Sequence, residues 1–140
     1  MGQIVILDRD GVINEDSSAF IKSPAEWRPI PGSLEAIARL NRAGYQVVVA
    51  TNQSGVGRGL FDIRTLTAIH QRMRQALAAV GGRIDAIFFC PHAPEAECAC
   101  RKPAPGLFHD RPRWNRFPPL ATVCAIWSPR VKPVHDPCWC

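Results

Sequence analysis

The chain opens on a short apolar run, Ile4-Val5-Ile6-Leu7, that halts at Asp8-Arg9-Asp10-Gly11. Four apolar residues without alternation read as a strand buried on both faces, as at the centre of a parallel sheet. Two later stretches share this character, one from Tyr45 to Ala50 and one from Ile84 to Phe89. Helical periodicity fills the intervals. Pro31-Gly32-Ser33 predicts a helix start with Ser33 as N-cap, an apolar face of Leu34, Ile37, Ala38 and Leu40, and a stop at Gly44. Asp62 predicts the cap of a longer helix carrying Leu66, Ile69, Met73, Leu77 and Val80, ended by Gly81-Gly82. Residues 12–27 are polar and irregular, and Gly55, Gly57 and Gly59 read as a flexible loop. Strand, helix, strand, helix, strand implies right-handed crossovers, hence an α/β fold with a three-layer, Rossmann-like parallel sheet.

The pattern fails after residue 110. The last thirty residues hold six of the 13 prolines and three of the four tryptophans, and show no period beyond a short run at Thr122–Trp127. Scattered prolines forbid a long helix there. The expected organisation is a core at 1–110 and a Pro/Trp/Cys-rich tail at 111–140, with the α/β domain incomplete at its C-terminus.

Charge adds little to this. The net charge is +5, of which the tail supplies most, with five Lys and Arg against one acid. A basic face on a recognisable nucleic-acid module is absent, so no nucleic-acid partner is expected. No apolar run reaches membrane-span length, and the first residues lack a signal-peptide pattern. A cytoplasmic monomer without membrane contact is the expectation.

Candidate chemistry gathers where strands end. In open α/β sheets ligands bind beyond the strands' carboxyl ends, where Asp8 and Asp10 sit with Gly11 to turn the chain. Two acids so placed can serve as nucleophile and proton donor; the plainer reading is a solvated acidic turn. Thr51 ends the second strand and can face the same mouth, its hydroxyl joining a Gly-rich turn that suits phosphate, or it can simply cap. Cys90, His92, Cys98 and Cys100 form C-x-H-x5-C-x-C, two tight ligand pairs across a short loop. Three thiolates and an imidazole suit tetrahedral Zn2+, and with all four positions filled the site reads as structural. Chance clustering of core cysteines is the alternative. Arg101-Lys102-Pro103 follows directly, so a pinned loop would hold the Lys102 charge near phosphate oxygens.

Taken in order, Asp8–Gly11, Thr51–Gly55, the Cys/His loop at 90–100 and Cys100-Arg101-Lys102-Pro103 resemble the haloacid dehalogenase superfamily, over residues 3 to about 110. Within it the chain is similar to the phosphatases that remove the 7-phosphate of a heptose 1,7-bisphosphate in lipopolysaccharide supply. That resemblance implies no large cap domain and a small phosphorylated sugar as substrate. It implies an aspartyl-phosphate on Asp8, acid and base work by Asp10, and a phosphoryl group held by Thr51 and Lys102. It places Mg2+ on the Asp8 carboxylate and the Asp10 backbone carbonyl. Asp16, Ser17, Ser18, Ala19, Asn52, Gln53, Ser54 and Arg101 would meet the substrate. Histidinol-phosphate phosphatases share the first motif and a similar zinc loop, but the run from Ser54 to Phe61 leans toward the heptose branch. A zinc-stabilised binding protein without turnover is the alternative of another class.

One expected motif is missing. The superfamily needs a strand ending in Gly-Asp-x-x-x-Asp to complete the Mg2+ site, and after Asp110 the only acid is Asp136. A shifted reading frame accounts for this. Codons for Leu120 to Ser128, beginning with CTG and read two bases on, can spell Gly-Asp-Ser-Leu-Arg-Asp-Leu-Val. The chain is accordingly expected to be an impaired phosphatase.

Overall fold

The computed structural model describes residues 3–109 and a strand at 123–126. Of the expected tail at 111–140, only that strand falls inside the described residues; the shifted-frame reading over Leu120 to Ser128 otherwise lies outside them. Four parallel strands build the sheet: β1 (Ile4–Leu7), β2 (Gln46–Asn52), β3 (Ala86–Cys90) and β4 (Val123–Ile126), in the order β3-β2-β1-β4. β1 is therefore internal. It registers Ile4 on Gln46 and Leu7 on Val49 of β2, and Ile4 on Val123 and Leu7 on Ile126 of β4. The edge that an incomplete sheet would leave bare on β1 is covered by a strand from the tail.

The first two continuous apolar runs behave as their pattern predicts, whereas the third, expected over Ile84 to Phe89, forms a strand at Ala86–Cys90 that is only partly buried at the sheet edge. All of β1 and the Val47–Ala50 core of β2 are buried. β2 runs two residues further than expected, so Thr51 and Asn52 lie within the strand. Alternate side chains divide between the two faces. Val5, Leu7, Val47 and Val49 pack with Leu34 and Ile37 of α1 (Ser33–Arg42) and Ile69, Met73 and Leu77 of α3 (Ile63–Ala79). Ile4, Ile6, Val48, Ala50 and Phe88 pack on Leu107, with Cys98, Cys100 and Phe108 against them. Among the described residues, this second face is covered by the Cys/His loop and the single turn at Pro105–Phe108.

Two local expectations need correction. Ser33 is the first residue of α1, not its N-cap; Gly32 caps it at φ 84°, and the Ser33 hydroxyl instead donates to the Ile13 carbonyl at 2.6 Å. That bond ties the loop after β1 to the helix start. The Gly-rich stretch after β2 is no flexible loop either. Ser54–Gly57 forms the short helix α2, and a Cβ on Gly57 would lie 2.7 Å from both the Ala93 nitrogen and the Pro91 oxygen. Glycine is used here for close backbone approach. Asp62 caps α3 as expected, accepting from the Thr65 N–H at 2.8 Å.

Candidate active site

Asp8 and Asp10 leave the carboxyl end of β1, and Gly11 turns the chain at φ 82°, a conformation that L side chains rarely adopt. Asp8 is buried, and its Oδ1 accepts from the Arg9 backbone N–H at 2.8 Å and from Lys102 Nζ at 3.0 Å. Burial raises the Asp8 carboxyl above its ordinary value, against the pull of Lys102. Burial likewise lowers the Lys102 ammonium, against the pull of Asp8. In both groups burial outweighs the partner's pull. Lys102 also donates to the Ala50 carbonyl at 2.7 Å.

The end of β2 fixes that lysine. Asn52 accepts from the Lys102 N–H at 2.9 Å and donates to the Lys102 carbonyl at 3.2 Å, gripping its backbone from both sides. Thr51 is fully buried and its hydroxyl accepts from Gln53 Nε2 at 2.9 Å. The same amide nitrogen donates to Asp10 Oδ2 at 2.9 Å. Asp10 Oδ1 takes the Arg9 guanidinium at 2.8 Å and Asn14 Nδ2 at 3.0 Å.

A cleft opens over the two acids. Asp8, Asp10, Asp16, Ser17, Ser18, Asn52, Gln53, Ser54 and Arg101 all line it, joined by Phe20 and Ile21. Thr51 and Lys102 are buried and do not line the opening; Lys102 lies against Asp8 and Thr51 against Gln53. Ala19 is exposed and does not line it: its N–H bonds Ser17 Oγ and its carbonyl takes Lys22 Nζ, which builds the turn.

The Cys/His loop converges as its spacing predicts. The ligand atoms of Cys90, His92, Cys98 and Cys100 all lie within 4.8 Å of one another. Cys90 Sγ is 3.4 Å from Cys98 Sγ, 3.2 Å from Cys100 Sγ and 3.6 Å from His92 Nδ1. A tetrahedral site with metal–sulfur bonds of about 2.3 Å has edges near these lengths. Burial, aided by Cys100, pushes the Cys90 thiol up to about 12. The loop is stitched to the active-site turn: Gln53 donates to the Cys90 carbonyl at 2.8 Å and Gly57 to the Pro91 carbonyl at 2.7 Å.

Residues 3–114 match the family described as polynucleotide kinase 3 phosphatase. The chain belongs to this family. Its resemblance to haloacid dehalogenase phosphatases of the heptose bisphosphate branch is upheld by named relatives. The chain is 63% identical over 108 residues to D-glycero-beta-D-manno-heptose-1,7-bisphosphate 7-phosphatase of Bordetella bronchiseptica, covering 77% of this chain and 60% of that protein. It is 55% identical over 105 residues to the protein of the same name from Pseudomonas putida, covering 75% and 60%. A solved structure of D,D-heptose 1,7-bisphosphate phosphatase from B. bronchiseptica, complexed with magnesium and phosphate, superposes with a TM-score of 0.81 at 59% identity. The match covers 88% of this chain and 68% of that one. The chain spans about 60% of the length of the curated relatives it matches.

For a member of this phosphatase family, three site residues escape the motif reading. Arg9 sits inside the first motif yet is fully buried, its guanidinium reaching Asp10, Gln53 and His70. His70 lies between Leu66 and Met73 on the apolar stripe of α3, and a polar residue on that stripe was the available signal. Phe20 lines the cleft at φ 64°, a rare backbone state for a bulky residue that no pattern in the sequence announces.

Proposed function

We propose that this chain carries the catalytic half-site of a Mg2+-dependent phosphatase that removes the 7-phosphate of D-glycero-D-manno-heptose 1,7-bisphosphate through an aspartyl-phosphate. The observation that carries this is the state of Asp8. Its Oδ1 is held by Lys102 and the Arg9 N–H, while no described residue donates to Oδ2. An anchored carboxylate with one oxygen unengaged is a positioned nucleophile. In the first step Oδ2 bonds phosphorus, the bond to the sugar oxygen breaks, and Asp10 gives that oxygen a proton. In the second, Asp10 takes a proton from the water that attacks phosphorus, and Asp8 is released. Lys102, paired with Asp8, and Thr51 at the end of β2 would neutralise and orient the phosphoryl oxygens. Asp16, Ser17, Ser18, Asn52, Ser54 and Arg101 border the cleft for the sugar; Gln53 is engaged with Asp10, Thr51 and Arg9.

The residues fit Mg2+. The Asp8 carboxylate and the Asp10 backbone carbonyl, the latter engaged by no described donor, are hard oxygen donors, the ligand type Mg2+ takes. Bound there, the ion would offset phosphoryl charge. The four clustered ligands at 90–100 fit a closed Zn2+ site that holds the loop bearing Lys102. The acid that would complete the Mg2+ site is missing from the sequence, so turnover by the 140 residues is proposed to be slow.

The test is phosphate release from heptose 1,7-bisphosphate, with histidinol phosphate in parallel. Slow Mg2+-dependent release from the heptose ester, abolished by Asp8→Asn and raised about a hundredfold or more by restoring the shifted frame, is the expected result. Equal and high rates from both chains would overturn the proposed impairment. Binding without release by either chain would make it a binding protein.

A further inference from the structure

His70 stands on α3 with no contact to the cleft, yet it is not packed as an idle core residue. Its Nε2 is 3.2 Å from Arg9 Nη1. A guanidinium has only donors, so Nε2 must accept and the ring proton must sit on Nδ1. Burial, reinforced by the Arg9 charge, lowers His70 to about 3, which keeps that acceptor available. The Phe89 ring lies against the imidazole, with centroids 6.1 Å apart. On its other side Arg9 places Nε and Nη2 each 2.8 Å from Asp10 Oδ1 and donates from Nη2 to Gln53 Oε1 at 3.2 Å.

The two Asp10 oxygens are thereby made unequal. Oδ1 accepts two N–H donors, Arg9 Nε and Asn14 Nδ2, with Arg9 Nη2 beside it as an ion-pair partner. Oδ2 accepts one, from Gln53. With both lone-pair sites of Oδ1 taken by N–H donors, a proton of its own has no place there, so any proton Asp10 carries must ride on Oδ2. Gln53 is fixed in the same way: its Oε1 faces the guanidinium, which forces Nε2 toward Asp10 and Thr51.

We propose that His70 is a positioning residue that acts through Arg9 to hold Asp10 with Oδ1 as the anchor and Oδ2 as the oxygen that exchanges protons with substrate. This deepens the phosphatase reading and, for its kinetic consequence, rests on it. His70 touches neither substrate nor metal ligand. It receives the one guanidinium nitrogen that neither Asp10 nor Gln53 takes, and so fixes the plane of the fork.

The test uses the full 140-residue chain with His70→Leu, which removes the acceptor, and His70→Gln, which offers an amide oxygen in its place. Two readouts need no turnover. Long-range proton–nitrogen correlation on histidine-labelled protein should show His70 protonated at Nδ1 and bare at Nε2 at neutral pH. With aspartate carboxyl carbons labelled, the Asp10 resonance should move in His70→Leu and stay near the wild-type position in His70→Gln, although His70 does not touch Asp10. Kinetically, His70→Leu should lower kcat about tenfold with KM unchanged, and His70→Gln should restore most of it. The reverse tautomer, an imidazolium at neutral pH, or equal Asp10 shifts in both variants would overturn the proposal. So would a loss of melting temperature with the Asp10 resonance unmoved. A wild-type chain without turnover would count against the phosphatase reading and leave the two spectroscopic readouts to decide the positioning role.

Discussion

Asp8 and Lys102, proposed as a nucleophile and its counter-charge, are also a buried ion pair, and the two roles have separable costs. The Lys102 side chain is 2% exposed and that of Asp8 10%. Breaking such a pair by removing one partner leaves an uncompensated charge and typically costs about 3–5 kcal/mol. Lys102→Met should therefore lower unfolding free energy by an amount near that range, moderated because the already raised Asp8 carboxyl can take up a proton. Asp8→Asn with Lys102→Met should recover much of the loss, while phosphate release stays abolished. A denaturant series on the three chains checks this; a single variant as stable as wild type would show that the pair adds nothing. At this scale the motif acids and Thr51 were legible because each follows an abrupt end of an apolar run, Lys102 because it follows the Cys/His loop, and most cleft residues only through the family resemblance. Arg9 and His70 were not. Arg9 looks like a surface arginine between two acids, and only the fold shows that its side chain turns inward. His70 was hidden by the apolar neighbours that make its helix predictable.

Among the elements, the Cys/His loop does the work that a helix does on the other side of the sheet. Cys98, Cys100, Leu107 and Phe108 close the smaller core over Ile4, Ile6, Val48 and Phe88. A loop has no internal ladder to keep it closed, so its order should depend on the ion its ligands suit. About one zinc per chain is the expected content, and Cys98→Ser with Cys100→Ser should remove it. The same change should lower the melting temperature and loosen the amides of β3. Metal analysis with hydrogen exchange checks this; undiminished zinc in the double variant would place the ion elsewhere. The spacing of the four ligands was readable because two tight pairs across a short loop have few structural alternatives. The neighbouring glycines were misleading. Gly57 reads as freedom in a sequence, whereas here it marks a place where two backbones touch.

For the molecule as a whole, the strand order β3-β2-β1-β4 sets when the site can exist. Pairing of β1 with β2 closes the chain from Ile4 to Gln46, but pairing with β4 closes it from Ile4 to Val123. The longer loop costs only about 1 kcal/mol more in closure entropy, yet non-local pairings of this kind form late. The expected order makes the strand that launches Asp8 and Asp10 first the rim of a three-stranded sheet and only then interior. In a refolding experiment with pulsed hydrogen exchange, amides of β2 and β3 should gain protection before those of β4. Early protection of β4 would reverse that order. The mouth of β1 is in this sense scheduled: the carboxylates stand at Asp8 and Asp10, and the neighbour that secures their strand comes from far along the chain, at Val123–Ile126.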